Sequence, residues 1–379
     1  MLLPHWSGLL TYLLSKLNPL GQTPGDTCFA STHTLGSLVE CLEKYTVPED
    51  YYDQFSYLEA QPTDSQREAW FAAVTTLLST HNNCSSAIVP TALHNIYSAT
   101  SFTDINGQSF CILYERSVSP CSMRYEKGWG FMVVPSSRDM VSRLLHLSAP
   151  HPFYDVGTPI QATHLFKETG AKSLLVPGRM RPAYNAPSTC VLPRSNKSTY
   201  YMTDPAHNDL EPFFDANRAI WEWQTRHGGC PSLSCAFIQF HGKARTTCPK
   251  DDIFLSAGLA DDTWYTDDVD RPIKRLRNQL YVAFNSESST TAPLTISLPS
   301  DSKCILTATK NVVGRYLNSY PLSSSHEVCT QSSDPDSTQG VFIHIEQAAV
   351  ARNKAAREGW IRALKNTFVG VDAKTRARL

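Results

Sequence analysis

LLHLSAPHPFYDVGTPIQATHLFKETGAKSLLV, residues 144–176, is the stretch whose reading decides the fold. Residues 144–149 form a short, mostly apolar run of the length of a buried strand. Thr158 suits a helix N-cap, with Pro159 at the first helical position and Gln161 at the third, where such side chains satisfy the free amides of a helix start. The helix should run to about Thr169, where Gly170 closes it, and residues 172–176 give the next strand, ending at Pro177-Gly178-Arg179. Strand, helix, strand is one βαβ unit, and it puts His151 and Asp155 in the first loop.

The same rhythm continues outward. Phe213, Ala216, Ile220 and Trp223 recur at helical spacing, predicting a helix over 209–225 that Gly228 and Gly229 end. Residues 235–240 are nearly all apolar, as a central strand of a parallel sheet should be, and they deliver His241-Gly242 at their carboxyl end. Further strands are expected at 253–256, 294–298 and 341–345, and helices at 273–284 and 348–368. Upstream, 109–115 and 130–134 read as strands, and 34–80 reads as helical, with Thr63-Asp64-Ser65-Gln66 restarting a helix before Trp70, Val74, Leu77 and Leu78. The expected architecture is α/β: a mixed, mostly parallel sheet with helices on both faces and a helical N-terminal extension. Residues 1–108 would be that extension, packed on an α/β catalytic domain of residues 109–379.

Composition narrows the function. The chain of 379 residues is 41% hydrophobic and 18% charged, as globular proteins are. With 34 Lys+Arg against 35 Asp+Glu it has no global field to hold a polyanion, so no nucleic-acid partner is expected. The basic end (Lys365, Lys374, Arg376, Arg378) reads as a solvated helix end. Eleven cysteines, mostly in loop-like contexts, suit an oxidising compartment and disulfides, and an odd number leaves at least one thiol over. Sequons at Asn83 and Asn196 point the same way, toward a secreted glycoprotein. Residues 2–20 are apolar but interrupted by His5, Lys16 and Asn18, so no integral membrane segment is expected there. An atypical signal peptide, a membrane-surface helix and a first helix of the fold are all open readings of it.

Ligands of open α/β sheets gather beyond the carboxyl ends of the strands. His151 and Asp155 follow one strand, Arg179 and Arg181 the next, His241 ends a third, and Glu346 ends or follows the last. Imidazoles and carboxylates converging this way are the ligand set of Zn²⁺ or another divalent ion, with one carboxylate left as a base. Each has a plainer alternative: a structural histidine, a helix-start Asp155, a solvated Glu346, surface arginines. His207, just before a helix, is either a pocket group or a cap. Arg179 and Arg181, with Asn185 nearby, suit capture of a substrate carboxylate. Cys248, seven residues past His241, fits a disulfide better than a nucleophile. No G-x-S-x-G elbow, Walker loop or G-x-G-x-x-G fingerprint is present.

These residues resemble the zinc carboxypeptidase-like superfamily, in particular the N-formylglutamate amidohydrolases and phage poly-γ-glutamate hydrolases. The shared features are a His and a carboxylate after one strand followed by Gly-Thr and a helix (His151, Asp155, Gly157, Thr158), then His241-Gly242, then a late strand with Glu346. Two departures stand out: the chain has His-x-x-x-Asp where carboxypeptidases carry His-x-x-Glu, and residues before about 109 match nothing in the family. The resemblance implies a phosphorylase/hydrolase-like fold, zinc on His151, Asp155 and His241, and Glu346 as general base toward water. The expected function is a zinc-dependent hydrolase cleaving an amide or peptide bond next to a carboxylate-bearing group of a small molecule or peptide. In that reading His207 polarises the scissile carbonyl, and Arg179, Arg181 and Asn185 hold the carboxylate. Two alternatives remain: a phosphate-handling His/Arg pocket, and a non-catalytic secreted binding protein using Trp129, Trp221 and Trp223.

Overall fold

A computed structural model of the chain describes residues 24–85, 88–193, 199–286 and 292–379. The apolar stretch at 2–20 and the sequon at Asn196 lie outside the described residues.

Among the described residues nine strands form one sheet: β1 (Tyr97–Thr103), β2 (Ser109–Glu115), β3 (Phe131–Pro135), β4 (Leu144–Ser148), β5 (Ser173–Val176), β6 (Cys235–Gly242), β7 (Ile253–Ser256), β8 (Ile296–Ser297) and β9 (Phe342–Gln347). Their order is β1-β2-β3-β5-β4-β6-β9-β7-β8. The sheet is mixed. Its centre, β5-β4-β6-β9, is parallel, as is the β7-β8 edge, while β1-β2, β2-β3, β3-β5 and β7-β9 pair antiparallel. The expected parallel character therefore belongs to the centre. The β1-β2 connection is a tight turn over Asp104 to Gln108, too short for the crossover that parallel strands need.

Helices cover both faces, because each strand buries side chains in both directions. On one face α1 (Leu35–Glu43), α3 (Thr158–Thr169), α5 (Pro272–Asn285) and α7 (Arg357–Thr367) bring Leu38, Leu165, Leu276 and Trp360 into one cluster with Ile112, Val133, Leu145, Ile238 and Ile345. On the other, α2 (Asp64–Leu78), α4 (Pro212–Arg226) and α6 (Val312–Ser319) pack Trp70, Phe213 and Val313 with Leu113, Met132, Leu144, Phe237 and Phe342. Trp129 and Trp223 are buried in this second cluster, so neither joins a recognition surface.

Three local expectations shift. Residues 97–103, inside the 1–108 extension expected to be helical, form β1, an outer strand whose Ser and Thr take its half-buried and exposed positions. The helix after β4 is capped by Gly157 in the left-handed region at φ 85°, not by Thr158. Thr158 instead donates its hydroxyl to the Asp155 carbonyl at 2.8 Å, and Gln161 is buried in a reciprocal amide pair with Gln347. The single helix expected over 348–368 is broken at Asn353, whose extended backbone and side chain cap the next turn. Helix α6, absent from the sequence reading, starts at Asn311, which caps Gly314.

Gly130 holds the sheet where β3 meets the end of β5: at φ 97° an added Cβ would lie 2.1 Å from the Val176 carbonyl, so only glycine fits. Five disulfides join Cys28–Cys41, Cys84–Cys111, Cys190–Cys329, Cys230–Cys235 and Cys248–Cys304, leaving Cys121 as an exposed thiol. That pairing suits an oxidising compartment and removes Cys248 as a nucleophile. Among the described residues no helix is long and apolar enough to cross a membrane.

Lys172 is buried just before β5, donating to the carbonyl of Leu78 at the end of α2 at 2.7 Å, with its ammonium 4.7 Å from the ring centroid of Trp223. Burial pushes its pKa down to about 7. Between about 7 and its unfolded value the unfolded chain holds a proton that the folded chain lacks. The Lys172 term therefore strengthens stability as pH rises through that window, by roughly 1.4 kcal/mol per pH unit, and is least favourable below it. Urea unfolding of wild type and Lys172→Met at pH 6.5 and 9 should show the wild type gaining stability relative to the variant at the higher pH. A difference independent of pH would refute the assignment.

Candidate metal centre

The pleat and the register of the central strands build the site. Side chains alternate across a strand, so Phe237, Gln239 and His241 share one face of β6, and Phe342, His344 and Glu346 share that face of β9. In the parallel pairing Gln239 stands beside His344 and His241 beside Glu346. Beyond the end of neighbouring β4, Pro150 leads to His151, and a turn closed by the Asp155 amide on the His151 carbonyl at 2.8 Å brings Asp155 back to the same point.

Three ligand atoms meet there. His151 Nδ1 lies 3.1 Å from Asp155 Oδ2, His241 Nδ1 is 3.2 Å from His151 Nδ1, and it is 3.3 Å from Asp155 Oδ2. All three residues are buried. Four ligands at roughly 2.0–2.1 Å around zinc stand about 3.3 Å apart along each tetrahedral edge, so the triangle has the dimensions of one face of such a site. The opposite ring nitrogens face acceptors: His151 Nε2 to Asp204 Oδ1 at 3.1 Å and His241 Nε2 to Gln239 Oε1 at 3.4 Å. With its N–H on Nε2, toward these acceptors, a neutral ring has Nδ1 bare, while the Asp155 carboxylate competes for a proton at Nδ1 of both rings. In that tautomer two bare nitrogens and a carboxylate oxygen lie together in a buried place, a donor set that suits a proton or a metal cation.

Electrostatics agree. Burial opposes charge on His151, yet Asp155 beside it pushes its pKa up to about 9. The protein alone thus already draws a proton into this cluster. Burial also works against ionised Asp155, but the two histidines hold its carboxyl below the usual range. His241 is pushed down to about 4, chiefly by burial. Glu346 rises to about 8 through burial and the charge of Asp155. One of its oxygens lies within 4.8 Å of ligand atoms of His241 and His344, close to the triangle but outside it.

Asp204 organises the rest. Fully buried, it accepts from His151 Nε2, from His207 Nδ1 at 3.0 Å and from Arg181 Nη2 at 2.6 Å. Arg181 also stacks over Tyr154, 5.2 Å from its ring centroid, and its buried Nε has no hydrogen-bond partner. His207 stacks on Tyr200 at 3.6 Å, and burial keeps its pKa below the ordinary imidazole value against the pull of Asp204.

The fold thus gathers His151, Asp155, His241, Glu346, His207 and Arg181. Arg179 and Asn185 are engaged elsewhere. Arg179 is fully buried and bidentate to Glu211 at 2.6 and 2.8 Å, with its third nitrogen on the Lys127 carbonyl at 3.4 Å. Asn185, exposed, donates to Asp50. The sequence reading passed over Asp204 and Gln239. Both carried a signal: Asp204 lies three residues before His207, and Gln239 is the polar residue two before His241 on an apolar strand.

No protein-family model and no curated protein sequence matches the chain. Solved structures with some likeness include a gene product from Agrobacterium tumefaciens, at 11% identity over 60% of this chain and 88% of that one with a TM-score of 0.31. Another is a metallo-carboxypeptidase from Burkholderia cenocepacia, at 11% identity over 80% of this chain and 68% of that one with a TM-score of 0.32. The functional reading rests on the geometry described above.

The two arginines should separate cleanly. Glu211→Ala leaves the Arg179 guanidinium buried and unpaired, so urea unfolding should show a loss of roughly 3–5 kcal/mol. Arg181→Ala, at a partly open position, should cost far less. Equal losses would mean that both arginines are structural.

Proposed function

We propose that the chain is a zinc-dependent hydrolase that cleaves an amide or peptide bond next to a carboxylate-bearing group, with His151, Asp155 and His241 holding the ion. The observation that carries this reading is the triangle of 3.1–3.3 Å between their three ligand atoms. Zinc bound there supplies Lewis-acid polarisation of the scissile carbonyl and of water.

The protein's own groups then divide the work. Glu346, a carboxylate beside the ligands but outside their triangle, takes a proton from the attacking water and returns it to the leaving amine. Arg181 grips the substrate carboxylate, and its unpartnered Nε is the buried donor such a group would satisfy. His207 takes a different part from the one its sequence position suggested. Asp204 claims its Nδ1–H, and burial favours the neutral ring, so Nε2 is an acceptor for a substrate N–H and does not polarise the carbonyl. Asp204 also fixes His151, since a carboxylate on the far nitrogen of a ligand histidine orients the ring and raises its basicity.

The phosphate-handling alternative loses support because one of its two arginines, Arg179, is closed off in a bidentate pair with Glu211. The disulfides support an extracellular setting for the hydrolase.

Elemental analysis of the purified protein should find one zinc per chain, and His241→Ala should lose it together with hydrolysis. Retained zinc with unchanged turnover in that variant rejects the site. Glu346→Gln should keep zinc and lower kcat by about 10²–10⁴-fold. On a panel of N-acyl amino acids and their amides, Arg181→Ala should raise KM roughly 10- to 100-fold for the free carboxylates and little for the amides. The same rise for both would remove Arg181 from carboxylate binding.

A further inference from the structure

We infer that Gln239 and Asn311 are positioning residues that fix the proton of His241 on Nε2 and so turn a bare Nδ1 toward the ion. The inference rests on the preceding reading for the presence of zinc, but the proton's location is a property of the protein alone.

The polarity of the chain of hydrogen bonds begins at a backbone amide, which can only donate. Gly314 N–H, in the first turn of α6, bonds to Asn311 Oδ1 at 3.0 Å. That contact sets the orientation of the Asn311 amide, so its other end, Nδ2, is the donor directed at Gln239. Asn311 Nδ2 bonds to Gln239 Oε1 at 2.7 Å. Gln239 therefore presents oxygen both to Asn311 and to His241 Nε2, 3.4 Å away. The competing acceptor at His241 Nδ1, Asp155 Oδ2 at 3.3 Å, is taken by His151 Nδ1 at 3.1 Å, which itself faces His241 Nδ1 at 3.2 Å. A flipped Gln239 amide would set NH₂ against NH₂. Gln239 and Asn311 are 1% and 2% exposed, so water is a poor substitute for either partner.

The fold keeps this orientation at a cost. Gln239 Nε2 is buried without a hydrogen-bond partner, the penalty expected when an amide's direction is dictated from one side only. An apolar residue of similar volume would fill the place on β6 without that penalty, so the oxygen is what the position supplies. Asp204 does for His151 what Gln239 does for His241. The two ligand rings are thereby turned so that their Nδ1 atoms meet.

The test uses the full chain labelled with ¹⁵N-histidine and freed of metal. Long-range ¹H–¹⁵N correlation should show His241 as the Nε2–H tautomer in the wild type. Gln239→Met removes the acceptor and should lose that preference, with zinc affinity, read by competition with a chromophoric chelator, falling about 10- to 100-fold. Gln239→Glu keeps an acceptor and should hold the tautomer and restore affinity to within a few-fold of wild type. Asn311→Asp is the sharper variant: it retains the cap on Gly314 but offers Gln239 only an acceptor. The Gln239 amide should then flip, driving His241 to the Nδ1–H tautomer and weakening zinc even with helix α6 intact. Wild-type tautomer and affinity in Gln239→Met and Asn311→Asp, or an Nδ1–H tautomer in the wild type, would overturn the inference. Should the wild type bind no zinc, the metal reading falls by itself, and the tautomers still decide the relay.

Discussion

Two imidazole nitrogens and a carboxylate oxygen face one another across little more than 3 Å, with almost no water to separate them. Unless a proton or a cation joins them such acceptors repel, and in a buried place that repulsion is poorly screened. The surrounding fold is organised around this constraint. Asp204 and Gln239 take the far sides of the rings, the 151–155 turn holds the carboxylate, and the parallel centre of the sheet supplies the backbone from which these groups project.

The arrangement separates ions that serve the fold from ions that serve the proposed chemistry. Arg179 and Glu211 neutralise one another completely in the interior, with Tyr52 and Tyr57 within 6 Å of the guanidinium. Burial opposes the Arg179 charge, and Glu211 holds it firmly in place. Arg181, two residues on, shares its carboxylate with two histidines and keeps a nitrogen in reserve. The difference lies in the number of donors per acceptor. A closed pair has nothing left to offer a ligand, whereas a single aspartate serving three side-chain donors and the Ala206 amide leaves the side chains partly available.

Much of this was legible one residue at a time. Phe237 and Phe342 announce buried strands by their neighbours, and strand ends announce where His241 and Glu346 emerge. The period of two in a strand even places Gln239 with His241. Misreadings came where a side chain's partner lies far away in the chain. Gln161 looks like a helix cap and is instead paired with Gln347, and Arg179 looks like a ligand grip and is instead locked to Glu211. Serine and threonine at 98, 100, 101 and 103 hid an outer strand, because at the sheet's edge both of its faces are only partly covered.

The sequence by itself determined the layered α/β architecture, the identity of the strands that carry chemistry, and the surplus of cysteines that five disulfides absorb. Hydrophobic periodicity and turn residues are local quantities, and they suffice for that. Only the tertiary structure decided that residues 151, 155 and 241 touch, and that Asp204 joins two histidines to an arginine. It alone decided, too, which acceptors stand at each nitrogen of the two rings. Those are questions of distance and of hydrogen-bond direction between segments up to 90 residues apart, and no local pattern encodes either.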